Sequence, residues 1–220
     1  MDDSPRTLRQ AWTDFVSADD YEAHMAAAGQ AQANGELVRH MVESWPPANP
    51  RLLFAGMGTG QILDYSGTGF LEPYRPTFTD INRGFLDRLE KRLVRLGCDS
   101  YQTAIDDLED TRLQPPWGGV VVVLVLEHID WRKGVASLGR LQAERCYIVI
   151  QENPPGSARV RPPVGSMSIF QQVRPNLVPP DQLIDAMAAQ QYSLIASESR
   201  LVTDDKKMTG LVFARQESAI

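Results

Sequence analysis

The sequence predicts an α/β fold in which helices cover both faces of a mostly parallel sheet of seven strands. Two observations lead to this prediction. From residue 51 onward, short apolar runs alternate with longer helical patterns, as in sheets built by right-handed crossovers. One run, residues 120–126, is apolar on both faces, as a central parallel strand must be. The length of 220 residues and the 43% hydrophobic content suit one domain with a substantial core.

Helices precede the first predicted strand. Up to about Ser44, apolar residues recur at mostly helical spacings among Ala, Gln and Glu, which predicts two or three short helices. Pro46, Pro47 and Pro50 end this helical region, and the apolar residues 52–55 form the first strand.

Four further strands are predicted at residues 76–81, 101–105, 120–126 and 146–150. The best-defined helix follows the second strand and ends at Gly97, and its apolar face consists of Phe85, Leu86, Leu89, Leu93 and Leu96. A further helix runs through residues 135–141, before the fifth strand.

The last part of the chain predicts a helix and a hairpin. The segment 157–180 shows no clear period, and Asp181 then has the residue type of an N-cap for a helix that runs to about Gln191. Residues 194–196 and 210–214 form two strands joined through residues 203–206, so the last strand runs antiparallel.

Charge and composition exclude several classes of protein. The net charge of −6 works against long-range attraction to nucleic acid and to anionic membranes. No apolar run approaches the roughly 20 residues that cross a bilayer, and the acidic start MDDSPRTLRQ lacks the order of a signal peptide, so we expect a cytoplasmic protein. The two cysteines and three histidines show neither a disulfide framework nor metal-ligand spacing, so no metal is expected.

A glycine-rich turn carries the first functional signal. The first strand runs directly into Gly56, Gly58 and Gly60. Glycines at this spacing let the chain turn sharply and let a ligand approach bare backbone at the carboxyl edge of the sheet. Because the pattern is weak alone, a tight turn without a ligand remains an alternative.

Carboxylates follow the next two strands. Asp80 ends the second strand, where a carboxylate can accept hydrogen bonds from both hydroxyls of a ribose; a cap for the helix that begins near Asn82 is the alternative. Asp106 and Asp107 follow the third strand, where a carboxylate can accept a hydrogen bond from an adenine amino group. They also belong to an acidic cluster that a solvated loop would equally explain.

The order of these features resembles the class I, Rossmann-like methyltransferases that use S-adenosylmethionine (SAM), over about residues 51–215. The resemblance implies a three-layer α/β/α sandwich, SAM as the cofactor and S-adenosylhomocysteine (SAH) as its product. The stretch Leu126-Glu127-His128-Ile129 is similar to the Leu-Glu-His stretch often seen in this family. The implied cofactor-binding residues are Gly56, Met57, Gly58 and Gly60 at the methionine end, Asp80 and Ile81 at the ribose, Asp106 or Asp107 at the adenine, and Leu126 and Tyr21 beside them.

The sequence departs from the family pattern at three places. Phe54 stands where many members carry Asp or Glu, and Gly118-Gly119 stands where an acid often opens the fourth strand. The helix after Gly60 is interrupted early, by Gly67, Gly69 and Pro73.

His128 is the predicted general base. Methyl transfer from a sulfonium is an in-line displacement in which positioning dominates, and a neutral acceptor must also lose a proton. An imidazole titrates near neutrality, and His128 follows the central strand, although a strand-end residue bonded to the neighbouring turn is the alternative. Glu127 either lines the cofactor pocket or caps the helix near Trp131.

The resemblance also suggests where an acceptor binds. Residues 1–48, with Tyr21, are similar to a helical lid over the cofactor, and residues 157–180 lie where related enzymes build an acceptor pocket. Arginines in that segment favour an anionic acceptor as a hypothesis. The candidate substrate-binding residues are Glu152, Asn153, Arg159, Arg161 and Arg174. The run Asn153-Pro154-Pro155-Gly156 is not the motif of adenine methyltransferases, because it follows the fifth strand and has Gly at the aromatic position.

The sequence therefore predicts a single-domain SAM-dependent methyltransferase, a monomer or homodimer, with a small-molecule acceptor and no nucleic-acid partner. One rival is a catalytically inactive protein of this type that binds the cofactor or a partner. The other is an NAD-binding oxidoreductase, which the predicted closing hairpin and Gln61, in place of a further glycine, disfavour.

Overall fold

The computed structural model describes residues 7–154 and 165–216 and contains a seven-stranded sheet in the order β3-β2-β1-β4-β5-β7-β6. Strands β1 to β5 pair in parallel, and β7 is antiparallel to both of its neighbours, which confirms the predicted sheet and closing hairpin. The strands are β1 Arg51–Ala55, β2 Arg75–Asp80, β3 Gln102–Ile105, β4 Gly119–Val123, β5 Arg145–Glu152, β6 Tyr192–Leu201 and β7 Lys207–Arg215.

Helices cover both faces of the sheet, which confirms the three-layer arrangement. One core cluster packs α3 and α5 against one face, and a second packs α6 and α7 against the other. The helices are α1 Leu8–Gln10, α2 Ala18–Ala27, α3 Gln30–Ser44, α4 Leu63–Ser66, α5 Arg83–Arg95, α6 Trp131–Leu141 and α7 Pro180–Ala189. Within residues 7–154 and 165–216, no helix has both the length and the apolarity that crossing a bilayer demands.

Strand β4 ends earlier than the predicted span of 120–126. Its last residue is Val123, and Leu124 adopts a left-handed φ of 54° that breaks the strand. The N–H of Leu124 still donates to the carbonyl of Val149 in β5, at 2.9 Å. Residues Leu126–His128 then form a turn of 3-10 helix. An apolar run does not reveal this ending because buried turn residues are as apolar as strand residues.

The N-cap of α7 is Pro179 rather than the predicted Asp181. Helix α7 begins at Pro180, since proline is well suited to the first helical position, where its missing N–H is not needed. Asp181 lies in the first turn, where its negative charge is favourable beside the helix N-terminus.

Helix α3 belongs to the core, although the sequence prediction includes it in a lid of residues 1–48. Leu37, Val38 and Met41 are fully buried in the cluster on its face of the sheet. Gly35 lets α4 pack closely, because a Cβ there would lie 2.5 Å from the carbonyl oxygen of Ile62. Of the predicted lid, only residues 7–27 therefore lie outside the core as the structure describes it.

Candidate cofactor site

The glycine turn follows β1 directly and leaves no room for side chains. Gly56 and Gly60 have φ values of 67° and 71°, a region that L-residues rarely adopt. A Cβ at Gly56 would lie 2.5 Å from Val125 Cγ2, and one at Gly60 would collide with Leu89. The turn is thus held tightly between the end of β4 and helix α5.

Asp80 fastens this turn to the end of β2. Its Oδ2 accepts from the Gly58 N–H at 2.8 Å, and its Oδ1 accepts from the Asn82 N–H at 2.9 Å. Burial raises the pKa of Asp80, and the bonds from backbone N–H groups oppose that rise. Asn82, not Asp80, is the N-cap of α5, since its side chain accepts from the Phe85 N–H. Each carboxylate oxygen can accept a further bond, so Asp80 can still receive ribose hydroxyls.

Asp106 and Asp107 lie at the neighbouring strand end, but their side chains have different surroundings. The Asp106 N–H donates to the Asp80 carbonyl at 3.2 Å, which brings the two residues side by side. Burial raises the pKa of the Asp106 carboxyl. Asp107 accepts from the Glu109 N–H and pairs with Arg9. The Asp106 carboxylate in turn accepts from the Arg112 N–H at 3.4 Å. Ile81, between the two strand ends, is half-buried.

A small, partly open pocket, called the cavity below, lies beside the turn. Three of the predicted cofactor residues, Tyr21, Gly56 and Met57, line it. Leu126 does not; its side chain is fully buried in the core cluster that includes α6. Within the part of the chain that the structure describes, the lining residues are Tyr21, Met25, Asn34, Phe54, Ala55, Gly56, Met57, Ile62, Val121, Val123 and Leu124.

Asn34 is a lining residue that sequence reasoning missed. It lies on α3 and is fully buried, and neither atom of its amide has a hydrogen-bond partner in the part of the chain that the structure describes. In the sequence, Asn34 stands among Ala, Gln and Gly within a helical segment. No local signal distinguishes it from a surface residue.

Tyr21 lies against the glycine turn at Gly58. Its ring stacks on Phe85 with centroids 5.4 Å apart, and a Cβ built on Gly58 would lie 3.2 Å from its hydroxyl. Burial, and then the negative charge of Asp80, raise the pKa of the Tyr21 hydroxyl. Tyr21 thus remains a neutral donor beside a carboxylate.

His128 lies where the N-terminal segment meets residues 165–171. Its ring is 4.9 Å from the ring of Trp12, edge to face, and 5.4 Å from the ring of Phe170. The His128 N–H donates to the Val125 carbonyl at 2.9 Å. Two segments distant in sequence therefore orient the imidazole at the end of β4.

Glu127 is buried beside His128 and caps no helix, since Asp130 is the N-cap of α6. Its Oε1 accepts from the Gln151 N–H at 2.8 Å. Its Oε2 has no partner within residues 7–154 and 165–216, and burial raises the pKa of Glu127 to about 7. Glu127 is not among the residues that line the cavity.

The predicted substrate residues are not brought together in the described structure. Glu152 pairs with Lys207 at 3.0 Å and accepts from the Thr209 hydroxyl, so it is tied to β7. Asn153 is exposed and accepts from the Gln151 side chain at 2.7 Å, and Arg174 is also exposed. Arg159 and Arg161 lie outside the described residues.

The departures at Phe54 and Gly118 have structural reasons. Phe54 packs against Phe78 with ring centroids 4.9 Å apart, and it lines the cavity as an apolar residue. At Gly118 the chain passes so close to Asn49 that a Cβ would overlap the Asn49 carbonyl. An acidic side chain at residue 118 is therefore sterically excluded.

Solved structures with the same fold include methyltransferases. Geranyl diphosphate methyltransferase in complex with SAM matches with a TM-score of 0.64 and 15% identity, over 89% of this chain and 90% of that chain. Magnesium protoporphyrin IX methyltransferase from Synechocystis PCC 6803 with bound SAM matches with a TM-score of 0.62 and 14% identity, over 94% and 89%. The cyclase SpnF matches with a TM-score of 0.62 and 11% identity, over 82% and 80%. No protein-family model and no curated protein matches the sequence.

Proposed function

We propose that this chain, which has the fold of the class I SAM-dependent methyltransferases, transfers a methyl group from SAM to a small molecule. The observation that carries the proposal is the link between the glycine turn and the Asp80 carboxylate beside a cavity. Structural neighbours that are methyltransferases in complex with SAM support it.

The residues present fit this cofactor. The glycine turn adjoins the cavity, Asp80 offers oxygen acceptors at the ribose position, and the cavity contains an amide without a partner among the described residues. When bound, SAM supplies a methyl group on a positively charged sulfur. Asp106 would accept the adenine amino group.

We assign His128 the removal of the acceptor proton. Trp12 and Phe170 pack against its ring, so the imidazole is oriented before an acceptor arrives. A base needs this fixed geometry as much as a suitable pKa. The acceptor would then bind next to His128.

A second candidate is a protein of this fold that binds SAM without methyl transfer. SpnF, which is named as a cyclase, supports this candidate, because SpnF has the same fold as the methyltransferases. Turnover of SAM to SAH with an acceptor separates the two candidates.

Calorimetric titration with SAM, SAH and NAD tests the proposal. We expect SAM and SAH to bind in the micromolar range and NAD not to bind. Asp80→Ala should weaken the SAM and SAH affinities at least about tenfold, because each lost bond to a charged acceptor contributes about 1.5–3 kcal/mol. His128→Gln should bind SAH as the wild type does, since the His128 ring lies outside the cavity lining. The variant should lose turnover, because the proposed base is absent.

The matched control is Asp99→Ala, which removes an exposed carboxylate beyond the end of α5 and should leave the affinities unchanged. Thermal melts of all variants establish that they fold. Absence of SAM and SAH binding by the wild type, or preference for NAD, would overturn the proposed function.

A further inference from the structure

Among the buried side chains with an unpartnered polar atom in the described residues, Asn34 alone has two such atoms. Helix α3 buries it completely, and both its oxygen and its nitrogen have no partner within residues 7–154 and 165–216. Buried amides are nearly always hydrogen-bonded, because losing water without a replacement partner is unfavourable. An amide kept in this condition at the wall of a cavity indicates a ligand that completes its bonds.

The rest of the lining offers few polar groups. Among the lining residues that the structure describes, Tyr21 is the only one besides Asn34 with a polar side-chain group, and none is charged. Phe54 and Ala55, the two β1 residues in the lining, contribute only apolar side chains. A polar ligand group that enters this cavity therefore depends on Asn34, Tyr21 and the backbone.

Much of the turn's backbone is already bonded within the protein. The Met57 N–H donates to the Thr79 carbonyl at 2.9 Å, and the Gly58 N–H donates to Asp80 at 2.8 Å. The Gly60 N–H donates to the Met57 carbonyl at 3.2 Å. The glycine turn therefore supplies shape more than free donors, and Asn34 gains importance as a ligand partner.

We infer that Asn34 binds the charged amino-acid end of SAM through both atoms of its amide. This inference rests on the proposed function and adds a specificity-determining residue to it. An amide has one acceptor oxygen and two N–H donors, so it can bond an ammonium and a carboxylate at once. An aspartate here would repel the carboxylate, and a lysine would repel the ammonium.

Binding of SAH and of 5′-methylthioadenosine, which lacks the amino-acid end, tests this inference. We expect Asn34→Leu to weaken SAH binding about tenfold or more, since two hydrogen bonds to charged groups are lost, and to change methylthioadenosine binding less than about twofold. Asp80→Ala should weaken both ligands. The melting temperature of ligand-free Asn34→Leu should not fall, because an unbonded amide is replaced by an apolar group of similar size.

Gln30→Leu is the matched control, one turn earlier on α3. Its amide is buried too, but it donates to the Gln151 side chain at 2.6 Å. This variant should lower the melting temperature and leave the ratio of the two affinities unchanged.

The outcomes distinguish the two proposals. Wild-type protein that binds both ligands through Asp80, while Asn34→Leu weakens neither or weakens both equally, overturns the role of Asn34 and leaves the proposed function intact. If Asn34→Leu weakens neither ligand, ordered water alone completes the hydrogen bonds of the Asn34 amide. Wild-type protein that binds neither SAM nor SAH overturns both.

Discussion

Glu127 shows how one buried side chain makes stability depend on pH. It is 7% exposed, and burial raises its pKa from an ordinary value of 4.5 to about 7. The folded protein therefore holds this proton more tightly than the unfolded chain, and below pH 4.5 the carboxyl does not lower the free energy of unfolding. As the pH rises from 4.5 to about 7, the carboxyl lowers the free energy of unfolding progressively.

We expect Glu127→Gln to remove this pH dependence. Between pH 5 and pH 8 the free energy of unfolding of the wild type should fall by about 2 kcal/mol more than that of the variant. The glutamine oxygen can still accept from the Gln151 N–H, so the fold is retained. Urea denaturation at several pH values measures the difference. The exposed Glu72→Gln should follow the wild type, and equal slopes in all three proteins would contradict the assignment.

At the scale of elements, one guanidinium joins helices α2 and α4 to the glycine turn. Arg92 of α5 bonds Asp64 of α4 at 3.1 Å, Glu22 of α2 at 2.9 Å and the carbonyl of Thr59 in the turn. Its planar set of donors suits several acceptors at once. With Arg92 8% exposed, these bonds are weakly screened by solvent.

Glu22→Gln should loosen α2 without disturbing the sheet. Loss of the charged partner of Arg92 should speed hydrogen exchange in Ala18–Ala27 roughly tenfold and leave β1 and β4 unchanged. The control is Asp19→Asn, which removes another ion pair between α2 and α5, with Arg88. Asp19 is 83% exposed, so its pair should contribute little. Equal loosening by both variants would show that Arg92 has no special role.

At the scale of the whole molecule, the described N-terminal region has two parts with different contacts. Within residues 7–27, Tyr21 stacks on Phe85 beside the glycine turn and Trp12 contacts His128. Helix α3 instead packs against β5 and β7 and completes one face of the three-layer sandwich.

Truncation should separate these two parts. A chain of residues 29–220 should unfold cooperatively on heating, with a lower melting temperature, because the sandwich is complete. A chain of residues 49–220 should show no cooperative transition, because Leu37, Val38 and Met41 no longer cover the sheet. Circular dichroism melts measure both. A cooperative melt of the shorter chain would mean that α3 is dispensable.

The sequence by itself determined the parts of this protein that short-range patterns encode. Alternating apolar runs specified the strands and the closing hairpin, because strand and helix periods are local properties. The glycine turn and Asp80 were also readable, since a left-handed turn at a strand end requires glycines in order along the chain. The family resemblance followed from the spacing of these features.

Only the tertiary structure decided which residues meet. Asn34 is a cavity residue because α3 packs against both the sheet and α4. The ring of His128 has Trp12 and Phe170 as neighbours, one from the N-terminal region and one from residues 165–171. The end of β4 at Val123 and the burial of Glu127 likewise depend on β5. Burial and hydrogen bonding are sums over contacts between residues distant in sequence, and no local pattern of residue types contains them.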